Sequence, residues 1–111
     1  MKEPLQFFKC LSDITRLNAT LLIFVEGELC VCELVEALND SQPKISRHLS
    51  QLRACGILDD VRRGQWVFYS ISKNLPEWAT EILETTSRTN KESLQVLQTS
   101  LKAMENRPQC C

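Results

Sequence analysis

The chain has 111 residues, 43% hydrophobic and 24% charged, with a net charge of −1 at neutral pH. That length makes one small domain, and domains of this size commonly extend their core by dimerising. No apolar run approaches the roughly 20 residues of a membrane span, Met1-Lys2-Glu3-Pro4 lacks the apolar stretch of a signal peptide, and a cytoplasmic protein away from membranes is expected.

Leu5, Phe8 and Leu11 recur at spacings of three and predict a short helix over residues 4–11. Ser12-Asp13 offers an N-cap to a second helix over 14–26, with Leu17, Leu21, Phe24 and Val25 on one side and Gly27 as its stop. A third helix is expected over 31–38, carrying Leu34, Val35 and Leu38. Asn39-Asp40-Ser41 forms a turn of capping residues. The fourth helix runs over 42–54, with Pro43 in its first turn, where a missing N–H costs nothing, and Gly56 at its end. Two helices joined so tightly make a helix-turn-helix unit.

From Ile57 to Ser72 the period changes to two. Trp66, Phe68 and Ser70 alternate with Val67, Tyr69 and Ile71, and Arg62-Arg63-Gly64-Gln65 supplies the turn of a β-hairpin, or wing. Asn74-Leu75-Pro76 opens a further helix with Trp78, Ile82 and Leu83 on one face. Residues 84–93 contain no large aliphatic or aromatic side chain, so that helix is expected to end or become solvated there. Leu94, Leu97, Leu101 and Met104 then form a narrow stripe that needs a partner surface, within the subunit or on a second copy. The expected fold is mainly α with a β-hairpin wing, a winged helix-turn-helix that dimerises through its terminal helices. Residues 1–88 would be the DNA-binding and sensor domain, and 89–111 a C-terminal helix with a cysteine-ended tail.

A net charge of −1 by itself argues against a nucleic-acid binder, but the distribution argues the other way. Residues 41–65 hold Lys44, Arg47, Arg53, Arg62 and Arg63 against Asp59 and Asp60, while Glu26, Glu28, Glu33, Glu36 and Asp40 lie just before them. A local patch sets phosphate attraction. At roughly 100° per residue, Ile45, Leu49 and Leu52 cluster on one side of the fourth helix and Lys44, Arg47, His48 and Gln51 on another. Arg and Gln suit guanine and adenine edges, and Lys and His reach phosphates. Ser41 and Gln42 sit at the helix N-terminus, where open N–H groups favour phosphate. With Ser46 on the same helix and Arg62 and Arg63 at the hairpin tip, these residues form the expected interface with double-stranded DNA. An ordinary solvated face is the alternative for the helix taken alone; the preceding helix, the turn and the basic hairpin favour DNA.

The six cysteines are Cys10, Cys30, Cys32, Cys55, Cys110 and Cys111. One pair is C-x-C and another is terminal, which does not resemble a disulfide framework, so thiol chemistry or soft-ion binding is expected. Cys30 and Cys32 stand at the start of the third helix, a position that lowers thiol pKa and favours thiolate. Thiolates select soft ions. Side chains at i and i+2 do not share a helix face, so one ion held by both should distort the first turn or find it irregular. Two small buried apolar residues, or a redox disulfide, are the alternatives. No catalytic triad, acid–base pair or Gly-rich phosphate loop stands out, and an enzyme is not expected.

Glu28-Leu29-Cys30-Val31-Cys32-Glu33-Leu34 followed by Ser41-Gln42-Pro43-Lys44-Ile45-Ser46-Arg47-His48-Leu49 resembles the ArsR group of arsenic-responsive repressors in the ArsR/SmtB superfamily. Leu11-Ser12-Asp13-Ile14-Thr15-Arg16-Leu17 resembles the start of that family's second helix, and Gly64-Gln65-Trp66-Val67-Phe68-Tyr69 its wing. The resemblance covers roughly residues 5–83. It implies a homodimeric repressor of a resistance operon, bound to a palindromic operator and released by As(III) or Sb(III) as inducer at Cys30 and Cys32. A redox-sensing repressor, or a sensor of cadmium or lead, is the alternative. The best-known family pattern has a third cysteine three residues past the second, where this chain has Val35. Cys10, Cys55, Cys110, Cys111, water or an exogenous thiol would complete the site. Zinc-sensing relatives use histidines on the last helix, and cadmium-sensing ones add cysteines from a long N-terminal arm. Here His48 is the sole histidine and nine residues precede Cys10, so the resemblance favours arsenic.

Overall fold

A computed structural model describes residues 3–104. The elements in chain order are α1 (Pro4–Leu11), α2 (Ile14–Glu26), β1 (Glu28–Cys30), α3 (Val31–Leu38), α4 (Gln42–Ala54), β2 (Leu58–Arg63), β3 (Trp66–Ile71), α5 (Glu77–Thr89) and α6 (Lys91–Lys102). The helix ends follow local chemistry. The Asp13 carboxylate accepts the Arg16 N–H at 3.0 Å and caps α2. Gly27 ends α2 with φ +94°, a left-handed conformation that lets the chain reverse at once into a strand. Asn39 closes α3 at φ +53°, which Asn tolerates better than most residues.

The antiparallel sheet has the order β1-β3-β2. β2 and β3 form the expected hairpin, pairing Arg63 with Trp66 at the turn and Leu58 with Ile71 at the base. β1 was not expected. It pairs Glu28 with Ser70, Leu29 with Tyr69 and Cys30 with Phe68, so the wing is hydrogen-bonded to the segment that leads into α3. Arg63 donates to both carboxylate oxygens of Glu28, at 2.5 and 3.0 Å, and lies over the Phe68 ring at 4.9 Å. This bidentate pair and the stacked guanidinium hold the hairpin to β1. With α3 and α4 ahead of it, the hairpin completes a winged helix-turn-helix.

Phe7, Leu22, Ile23, Leu34, Leu49 and Leu83 lie wholly inside one core. α1 turns a different face inward from the one expected. Phe7, Cys10 and Leu11 are buried, whereas Leu5 and Phe8 stay exposed, because Phe7 packs edge-on against Trp78 of α5 at 5.3 Å. α5 continues through the apolar-poor stretch to Thr89, with Ser87 buried, and α6 starts at once from Asn90. The stripe on α6 is covered within the chain. Leu94 and Leu101 are buried, Leu97 and Met104 pack against the same core, and α6 lies on α2 and α3.

A second departure concerns the cysteines. Cys10 of α1 and Cys55 at the C-cap of α4 form a disulfide across a sequence separation of 45 residues, with Cα atoms 6.7 Å apart. Packing of α1 against the end of the helix-turn-helix brings together two residues that no local pattern connects.

Candidate thiol centre and nucleic-acid interface

Cys30 ends β1 and is also the N-cap of α3, with extended backbone at φ −88° and ψ 167°. This change of conformation resolves the spacing problem of the C-x-C pair. Cys30 leaves the strand, Cys32 lies in the first helical turn, and their Sγ atoms stand 3.4 Å apart. The first turn is therefore regular, and the two sulfur atoms converge because one of them is outside it. Glu33 locks the junction, accepting the Cys30 N–H through Oε1 at 2.9 Å in a capping box.

The electrostatics differ from expectation at Cys30. Burial pushes this thiol above its ordinary range; the Glu33 backbone N–H draws it back in part, and the Glu33 carboxylate adds to the rise. The helix start does not dominate, because Cys30 is wholly buried and shares the turn with a buried acid.

Cys32 is half-buried and lines a groove of about 420 Å³. Val31 and Val35 of α3, Gln42 and Ser46 of α4, and Gln65, Trp66, Val67 and Tyr69 of the wing complete its walls. The Trp66 indole Nε1 is buried, with no hydrogen-bond acceptor among the described residues. The start of α3, α4 and the wing thus share one small space. Val35 occupies the place of a third cysteine in that wall. Of the other proposed donors, Cys10 and Cys55 are joined to each other, and Cys110 and Cys111 lie outside the described residues.

On α4, Ile45, Leu49 and Leu52 are buried as expected, and Ser41, Gln42, Lys44, Arg47 and Gln51 are exposed. Ser41 caps the helix, its Oγ accepting the Lys44 N–H at 3.4 Å. Ser46 and His48 are half-buried. The outer face is not one uniform set of donors. The Arg16 guanidinium of α2 lies 3.3 Å from His48 Nδ1, donates to Gln51 Oε1 at 2.8 Å and donates through Nε to the Cys10 carbonyl at 2.6 Å. His48 Nε2 lies 4.0 Å from the Asp13 carboxylate. His48 and Gln51 are therefore tied to the start of α2, and Arg16 is a residue that the helix pattern alone did not single out. Its one sequence signal was its place in the segment resembling the family's second helix.

Several cations of this stretch are also engaged. Lys44 pairs with Asp40 at 3.5 Å, Arg53 with Asp60 at 2.7 Å, and Arg63 with Glu28. Among the described residues, no ion pair engages Arg47 on α4 or Arg62 near the wing tip, and both are exposed. An exposed amphipathic helix following a tight turn, flanked by a hairpin with an outward arginine, matches the geometry that places a helix in the major groove and a wing along the backbone.

Comparison with known proteins agrees with this arrangement. The family described as "Bacterial regulatory protein, arsR family" matches residues 13–60, which span α2 through the start of the wing. The arsenic resistance transcriptional regulator ArsR2 of Pseudomonas putida is 56% identical over 97% of this chain and 94% of its own. The arsenical resistance operon repressor of Escherichia coli K12 is 49% identical over 85% of this chain and 80% of its own. Among solved structures, the AntR antimony-specific transcriptional repressor superposes with a TM-score of 0.64 at 28% identity, covering 80% of this chain and 78% of that one. With near full-length identity of this degree, and a reader helix and wing built as described, the chain belongs to the arsR family of bacterial regulatory proteins.

Proposed function

We propose that this protein is a transcriptional repressor that binds operator DNA as a homodimer and leaves it when Cys30 and Cys32 take up trivalent arsenic or antimony. The 3.4 Å separation of the two sulfur atoms carries this reading. With a metal–sulfur bond of roughly 2.3 Å, that separation subtends about 95° at a shared ion. Condensation of the two reduced cysteines with arsenous acid, As(OH)3, would form two As–S bonds and release two waters. No proton has to be lost, which suits a thiol that burial keeps protonated.

The site transmits through its neighbours. Cys30 is paired with Phe68 of the wing, and Cys32 shares its groove with Gln42 and Ser46 of the reader helix. Drawing the thiols onto one ion alters the β1–α3 junction and the wall against which α4 and the wing rest. A 100-fold loss of operator affinity requires about 2.7 kcal/mol of coupling. The protein acts by binding, in the cytoplasm, with no catalytic step. The relatives named for arsenic resistance and the antimony-specific structural neighbour support this inducer class.

Fluorescence anisotropy on labelled operator, with and without arsenite, tests the reading. The wild type should lose roughly 100-fold in affinity, and Cys30→Ser with Cys32→Ser should stay bound. Undiminished release in the double variant would refute the assignment of the site.

A further inference from the structure

Cys10 and Cys55 take no part in the site described above. Their disulfide joins α1 to the end of the reader helix. Cys10 is buried, whereas Cys55 is half-buried and opens onto a shallow pocket of about 340 Å³. Lys9 and Arg16 line that pocket, and no carboxylate does among the described residues. This is the electropositive, partly open setting in which thiols react with peroxides. The Cα separation of 6.7 Å lies within the span that a disulfide bridges without moving the backbone. The pair also converges with the Arg16 clamp. Arg16 donates to the Cys10 carbonyl and holds His48 and Gln51, and the Cys10 Sγ faces the Gln51 carbonyl at 3.6 Å.

We propose that Cys10 and Cys55 are a hydroperoxide-sensitive dithiol whose disulfide tethers the reader helix to α1 and slows its departure from DNA. The Cys55 thiolate attacks the terminal peroxide oxygen, the O–O bond breaks, and an alcohol or water leaves with a proton, giving a sulfenic acid. The Cys10 sulfur then attacks the Cys55 sulfur, its proton leaves with the hydroxyl as water, and the S–S bond forms. The thiols give up two electrons and the peroxide accepts them; an external dithiol reverses the change. The tether joins α4 to α1 in the arrangement that already presents Arg47, so it opposes any tilt of α4. This consequence for DNA rests on the repressor reading above. The disulfide itself does not.

The full-length protein is compared after dithiothreitol and after mild peroxide, in wild type, Cys55→Ser and Cys10→Ala. Non-reducing peptide mapping should find the Cys10 and Cys55 peptides joined only in oxidised wild type. Amide exchange in residues 49–55 should slow on oxidation in wild type and not in either variant. Operator dissociation without arsenite should slow roughly threefold or more in oxidised wild type and recover with dithiothreitol. No joined peptide, or a joined peptide with unchanged amide exchange, overturns the proposal. So does an equal slowing of dissociation in Cys55→Ser. If the reduced protein binds no operator, the repressor reading falls while the exchange measurement still decides the tether.

Discussion

Arg47 and Arg63 show how little a residue's type says about its work. Both are exposed arginines of the basic stretch, yet Arg63 spends its fork on the Glu28 carboxylate and its face on Phe68. Arg47 has no such engagement among the described residues, so it is the stronger candidate for a base contact. Arg47→Ala should weaken operator binding by about 1–3 kcal/mol and relax specificity at one base pair. Arg62→Ala should weaken specific and random DNA alike and reduce the salt slope by about 1. Arg63→Ala should leave the salt slope nearly unchanged and instead loosen the wing, seen as faster amide exchange in β2. Salt-dependent titrations on operator and random duplexes separate the three. These partners were not legible in sequence, because Arg63 and Glu28 meet only through the pairing of β1 with β3.

At the scale of elements, the caps decide where helices begin. Asp13 caps α2, and its carboxyl is held below the ordinary carboxylate range, chiefly by the Arg16 backbone N–H, with His48 and Arg16 adding to the effect against the opposing cost of burial. A depressed folded pKa means that the contribution is fully present above the unfolded pKa, about 3.9, and fades as pH falls through the lower folded value. Asp13→Ala should cost about 1 kcal/mol at neutral pH, with the difference from wild type vanishing in strong acid; urea titrations at several pH values measure it. This cap was readable from Ser12-Asp13, as were Gly27 and the Pro43 helix start, because each acts within a turn of its own position. β1 was not. Glu28-Leu29-Cys30 is too short for a period to emerge, and what makes it a strand is β3, far along the chain.

For the molecule as a whole, its extent is 38 × 31 × 21 Å, with one reader helix. Half-sites on DNA recur about 34 Å apart, so reaching two grooves would take a second copy. Leu94 and Leu101 of the α6 stripe are already buried in the chain and Leu97 and Met104 partly so, which leaves Leu5 and Phe8 of α1 and Val96 of α6 as the exposed large apolar residues of the terminal helices. Phe8→Glu should shift the protein toward monomer in sedimentation velocity. It should weaken operator binding at least about tenfold, since one copy grips one half-site.

Local chemistry in the sequence determined the helix limits, the hairpin, the basic stretch and the C-x-C pair, and the motif resemblance pointed to the family. Tertiary structure alone decided that Cys30 belongs to a strand and thereby meets Cys32, that Arg16 restrains His48 and Gln51, that Cys10 meets Cys55, and that the α6 stripe faces inward. The division has a physical cause. Caps, turns and periodicity depend on neighbours within a few residues, whereas pairing, clamping and burial depend on which distant segments the core brings into contact.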